Sequence, residues 1–163
     1  YMFPPVVLAI PFHLIFGYLG LSDTLIGLII AYTSISLPFS LWLLWAYFQS
    51  VPLEIEEAAL IDGATRVRAL FSVVFPAALP GIIATSIFTF VTAYNDYLFA
   101  RVLISSESLK TIPLGIMDVY EAVVTDWGLL MSLAFLSVLP ALAFFVIIQR
   151  FLIRGWGMGA LKA

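Results

Sequence analysis

From Thr24 to Leu53 the chain carries no charged side chain, and the same holds from Ala69 to Asn95. A helix needs ~20 mostly apolar residues to cross ~30 Å of hydrocarbon, and both runs are long enough. Two more segments are candidates. Phe3 to Gly20 is short and interrupted by Pro4, Pro5 and Pro11, and Trp127 to Gln149 contains Pro140. Within the two long runs, Leu25 to about Phe48 is the expected second span. Pro76 and Pro80 interrupt the start of the third, which is expected from Pro80 to about Leu103. Hydrophobic residues make up 63% of the 163 and charged residues 10%, with mean hydropathy +1.13. An average soluble domain carries about 25% charge, and a soluble fold of this composition would expose very large apolar patches. The sequence therefore predicts an all-α membrane protein of about four spans.

Prolines inside spans are tolerated where neighbouring helices or side chains satisfy the freed carbonyls, which favours a bundle over a lone anchor. Charge placement then orients it. Arg66, Arg68, Arg150, Arg154 and Lys162 lie on one side, against Arg101 and Lys110 on the other. The positive-inside bias puts the loop of about 50–68 and the C-terminus in the cytoplasm. The other side then carries an acidic loop of about 104–126, with Glu107, Asp118, Glu121 and Asp126. Within it, Thr111 to Gly115 reads as a turn into a short amphipathic helix from about Ile116 to Val124. The net charge of −3 adds little, and with no cysteine there is no disulfide framework, thiol nucleophile or Cys-ligated metal. The chain opens on Tyr1 without a basic n-region, and reads as an internal-start fragment without a signal peptide.

The cytoplasmic loop contains a short helix signal. Ser50 and Pro52 suit its N-terminal edge, and Glu54, Glu56 and Glu57 fall where the macrodipole favours negative charge. Ala58 and Ala59 lack bulk, so a partner backbone can approach. Gly63 fits the left-handed position that ends a helix, and Asp62 before it is less usual at a C-terminus. Thr65 can cap a second short helix ending before Pro76. The same features also fit a re-entrant connector that merely solvates the loop.

Glu57-Ala58-Ala59, Gly63, Val73, Phe75 and Pro76 together resemble the EAA signature of binding-protein-dependent ABC importer permeases. Val73 and Phe75 stand where Ile and Leu are usual. Val51-Pro52, Ile61 to Ala64, Tyr94-Asn95-Asp96, Thr111 to Gly115 and Gly159 to Lys162 are similar to the carbohydrate branch, which includes maltose permeases of the MalG type. Tyr94 replaces a frequent Trp there, and Ala163 a frequent Gly. The resemblance implies a transmembrane helix bundle of the type I importer kind, with a permease domain over residues 1–163 holding the last four of six spans. It implies that Glu57, Ala58, Ala59, Asp62 and Gly63 form a coupling helix on a cytoplasmic ATPase subunit, with Gly159 to Lys162 nearby. The other implied partners are a second permease subunit, an extracytoplasmic solute-binding protein and the lipid bilayer, with no nucleic acid. The implied location is a bacterial or archaeal inner membrane. Neither G-x-x-x-x-G-K-[ST] nor G-x-G-x-x-G occurs, so no cofactor is expected here and ATP belongs to a partner subunit.

Tyr94-Asn95-Asp96-Tyr97 is the most polar cluster within a span, and intramembrane ionisable residues are functional candidates. Amides, carboxylates and aromatic faces are what a sugar needs, so Tyr94, Asn95 and Asp96 are candidates for the substrate path. Asp96 also lies ~24 Å along a helix from Pro80, at the outer interface, where Tyr and Asp are ordinary and Arg101 can pair with it. His13 has no metal-binding or nucleophilic company and reads as a hydrogen-bonded residue facing the bundle interior. Ser34, Ser36, Thr85, Ser86, Thr89 and Thr92 suit close helix packing. Trp45, Tyr47, Tyr97, Trp127 and Trp156 read as interfacial anchors. The rival class is a fragment of an ion-coupled secondary transporter, which would show paired mid-span carboxylates and repeat symmetry.

Overall fold

The computed structural model describes residues 4–157, with side chains described through residue 149. The tail residues Gly159 to Lys162, and the side chains of Arg150, Arg154 and Trp156, lie outside what is described. Among the described residues there are helices and no strands. They are α1 (Pro5–Tyr18), α2 (Leu25–Gln49), α3 (Leu53–Ile61), α4 (Arg66–Ala69), a π-helical turn (Leu70–Val74), α5 (Phe75–Ala77) and α6 (Leu79–Tyr94). After these come α7 (Leu98–Leu103), a 3-10 turn (Glu107–Leu109), α8 (Ile112–Tyr120) and α9 (Trp127–Gly157).

All four apolar segments are helical, but their lengths differ from expectation. Leu25–Gln49 and Trp127–Gln149 are each long and apolar enough to cross a membrane. At 14 residues α1 spans about 21 Å at 1.5 Å per residue, short of the ~30 Å hydrocarbon width. The expected third span does not run unbroken from Pro80 to Leu103. It stops at Tyr94 and restarts at Leu98. The helical segment before it, Arg66–Ala77, meets Leu79–Tyr94 at a 70° bend.

That segment corrects a second expectation. The short helix after Thr65 does not end before Pro76 but passes through it to Ala77. Proline has no N–H for the usual i−4 carbonyl. The chain widens into the π turn just upstream, where Phe75 N–H reaches Leu70 O instead. A third correction concerns the loop of about 104–126, whose helix runs from Ile112 to Tyr120 rather than from Ile116 to Val124. Pro113 is the reason, because its fixed φ suits the first helical turn and starts the helix earlier.

The chain forms two compact units, Tyr1–Pro38 with Phe90–Ala143 and Phe39–Thr89 with Phe144–Ala163. In the first, Phe16, Leu28, Ala31, Ala100, Leu103, Ile104 and Leu114 make a buried cluster. Asp23, left-handed at φ 56°, ties the α1–α2 turn to the segment after α7. Its N–H donates to Leu103 O at 2.7 Å, and its carboxylate accepts from the Ser105 and Ser106 amides at 2.9 and 2.8 Å and from the Ser106 hydroxyl. Those donors, led by the Ser106 hydroxyl, hold the Asp23 carboxyl below its usual range. Gly27 is required by close approach, since a Cβ there would sit 2.1 Å from Leu21 O.

In the second unit, α3 packs on α4 and the π turn. Ala69 and Ala78 are buried, Phe71 stacks on Phe75, and Ser40 and Thr89 lie 3.2 Å apart through their hydroxyls. Gly81 lets the Tyr47 ring come close, as a Cβ would meet Tyr47 Cγ at 2.2 Å. Tyr47 is therefore a packing residue as well as an aromatic near a helix end.

Candidate functional site

The loop helix α3 closes as its sequence predicts. Gly63 has φ +85°. Its N–H donates to Leu60 O, and Ala64 N–H donates to Ala59 O, each at 3.0 Å. That pair of bonds is a Schellman closure. A Cβ at Gly63 would meet nothing within 4 Å, so the constraint on this position is backbone conformation and not crowding. Thr65 caps α4 by accepting from Arg68 N–H at 3.3 Å. Pro52 precedes the helix in an extended conformation, with no side-chain cap.

The two alanines play different parts. Ala59 is half-buried and Ala58 is exposed. On a helical projection Leu53, Glu57, Ala58 and Ile61 share the outward side, with Asp62 following at the C-cap. On that side Leu53 is 70% exposed and Ile61 86% exposed. A nine-residue helix thus offers acidic residues around bare aliphatic ones, an arrangement suited to docking.

At the other candidate site the structure separates residues that are adjacent in sequence. Tyr94 donates its hydroxyl to Ser137 O on α9 and stacks on Phe90, with centroids 5.2 Å apart. Asn95 is exposed and donates Nδ2 to Val91 O at 3.0 Å. Tyr94, Asn95 and Tyr97 line a cavity of about 380 Å³ with Ile116, Met117 and Ser137. Asp96 does not line it. Its Oδ2 accepts from Tyr32 Oη at 3.0 Å and from the Phe99 and Ala100 amides at 3.1 Å.

Nor does Arg101 pair with Asp96. It binds Asp118 at 3.1 Å and Glu121 at 3.6 Å, because the restart of the helix at α7 turns it towards α8. Lys110 bridges Asp118 at 2.5 Å and Glu107 at 2.6 Å. The Lys110 contact holds the Asp118 carboxyl below its usual range, and the same contact raises the Lys110 ammonium. His13 is exposed and hydrogen-bonded, donating Nδ1–H to Val102 O at 3.0 Å. Of the small polar residues, Ser34 and Thr92 line a second, mostly apolar cavity of about 350 Å³, and Ser36 and Thr85 are buried. Among the described residues no group of His, Cys, Asp and Glu is placed to hold a metal.

Sequence reasoning missed Tyr32, Asp23 and Gly27. Each acts through a partner remote in sequence or through a backbone approach, and no local pattern signals that.

Residues 1–158 match the family described as the binding-protein-dependent transport system inner membrane component. The chain belongs to this family. It is 45% identical over 160 residues to a putative ABC transporter permease protein, ORF1, of Streptomyces antibioticus, covering 98% of this chain and 70% of that one. It is 31% identical to the trehalose/maltose transport system permease protein MalG of Thermococcus litoralis, covering 99% and 58%. It is 32% identical to the diacetylchitobiose uptake system permease protein DasC of Streptomyces coelicolor, again covering 99% and 58%. The chain thus spans just over half the length of the last two. Membership makes the helical assembly a type I permease bundle in a membrane and sets the secondary-transporter alternative aside.

Proposed function

We propose that this chain is the membrane-spanning part of a permease subunit in an ATP-driven importer for a carbohydrate. One observation carries the reading. A short helix stands out from its loop with Glu57, Ala58 and a nearly bare Ile61 on one side, closed by a glycine in the left-handed region. A solvent-facing aliphatic residue of that kind, ringed by acidic ones, is stabilised by a partner's groove. The partner proposed is a cytoplasmic ATPase subunit, which binds the ATP. Closure of an ATPase pair would move α3, and the helical Arg66–Ala77 segment behind it would pass the motion on to the bundle. A second permease subunit and an extracytoplasmic solute-binding protein complete the proposed assembly, with the loop of about 50–68 and the C-terminus in the cytoplasm and the loop of about 104–126 outside.

The substrate class rests on the two relatives named for sugar transport and on the cavity beside Tyr94 and Asn95. Aromatic faces and an amide suit a neutral polyhydroxyl ring. The deciding experiment is site-specific crosslinking from Ile61→Cys in full-length protein co-expressed with its ATPase. Crosslinking that changes with nucleotide is expected. If the introduced thiol instead reacts freely with a soluble maleimide in the assembled complex and never crosslinks, α3 is a solvated connector.

A further inference from the structure

The break in the third span is held by one carboxylate. α7 restarts at Leu98, and by position its N-cap is Tyr97, whose side chain makes no capping bond. The first free amides of α7 are instead satisfied from one residue further back. Asp96 Oδ2 takes Phe99 N–H and Ala100 N–H, each at 3.1 Å. Both residues are buried, so these donors would otherwise be stranded away from water. The same oxygen accepts from Tyr32 Oη at 3.0 Å, across a sequence separation of 64. Tyr32 is itself packed against the buried cluster that contains Ala31, Ala100 and Leu103. The bond therefore ties the restart point to α2.

The consequence falls on the flanking residues. Fixing Asp96 towards α2 leaves Asn95 and Tyr97 on the wall of the 380 Å³ cavity, with Tyr94 held there by Ser137 O. Among the described residues, no charged side chain lines that cavity. We infer that Asp96 is a positioning residue which, with Tyr32, sets where the span restarts and so aims Tyr94, Asn95 and Tyr97 at the solute. It does not touch the solute itself. The solute-binding part of this statement rests on the carbohydrate-importer reading, whereas the clamp does not.

The test uses the full-length protein in its assembled transporter, reconstituted in lipid, as wild type and as Tyr32→Phe, Asp96→Ala, Asp96→Asn and the double variant Tyr32→Phe/Asp96→Ala. Hydrogen exchange over residues 97–104 reads the clamp directly. Uptake at graded carbohydrate concentration reads the pocket. One lost hydrogen bond corresponds to roughly a twofold to tenfold change. Tyr32→Phe is expected to speed exchange and raise the half-saturating concentration by that amount, and Asp96→Ala by more. The double variant should be no worse than Asp96→Ala, since both remove one linked unit. Asp96→Asn keeps an acceptor oxygen at the capping position and should restore near-wild-type behaviour. The inference is overturned if Tyr32→Phe exchanges like wild type, or if Asp96→Asn is as defective as Asp96→Ala. A wild-type protein that transports no carbohydrate would sink the importer reading, and exchange would still decide the clamp.

Discussion

Two interruptions of helical structure carry the candidate chemistry, and they are built in opposite ways. Helix α3 ends on backbone alone, with Gly63 at φ +85° and two main-chain bonds. Its side chains are left exposed for something else to cover. At the Asn95–Tyr97 break no glycine is present, and a side chain closes the gap by drawing on Tyr32 and the α7 amides. The first leaves Leu53 and Ile61 exposed. The second turns Asp96 towards Tyr32 and the α7 amides and leaves Tyr94, Asn95 and Tyr97 on the wall of a cavity.

The contrast is most exposed at Gly63. Gly63→Val forces a β-branched residue into the left-handed region, which disfavours L-residues by roughly 1–2 kcal/mol and branched ones by more. Uptake by the reconstituted transporter is expected to be lost, with membrane insertion intact by protease mapping. Gly63→Asn, which tolerates that region, should retain uptake. If both variants transport normally, the backbone closure is incidental. A smaller effect is expected from Glu57→Lys, which should lower the ATPase recovered on affinity purification several-fold. Equal recovery would mean that Glu57 is simply solvated.

Thr65→Ala removes the cap on α4 and should cost about 1 kcal/mol, read as a modest fall in the thermal midpoint of the purified complex. No change there would mean that the cap is redundant with packing of the π turn.

The mildest expectation concerns pH, and it applies to the side-chain-built region around Asp23 and the 104–126 loop. Depressed carboxyls at Asp23 and Asp118 contribute fully above the ordinary aspartate value, about 3.9, and lose that contribution as pH falls through their lower folded values. Lys110 is raised, so its contribution is present below about 10.4 and lost as pH climbs through its higher folded value. Limited proteolysis of the 104–126 loop should therefore stay constant across neutral pH and accelerate only at the two extremes.

How legible each region was follows from the same contrast. The α3 boundaries, the Gly63 closure and the Thr65 cap could be read from sequence because each depends on residues within one or two helical turns. Leu25–Gln49 and Trp127–Gln149 were readable because uncharged runs of that length have one favourable environment. The break at Asn95–Tyr97 was not readable. The polar cluster Tyr94 to Tyr97 is visible in the sequence, but not that the helix stops there, and the bonds of Asp96 to Tyr32 and to the α7 amides reveal the restart. Likewise Arg101 was free by sequence to choose Asp96, and the geometry of α7 and α8 gave it Asp118 and Glu121 instead.

What the sequence alone determined was the membrane environment, the family and the closure of the α3 helix. Hydropathy, charge placement and helix-end chemistry are local properties that act before any folding partner arrives. The tertiary structure decided which side of each helix is used internally and which is left over. It split Asp96 from Asn95 and Tyr97, and Ala59 from Ala58. Adjacent residues on a helix or at its break point in different directions, and only the packed neighbours determine which of those directions is already occupied.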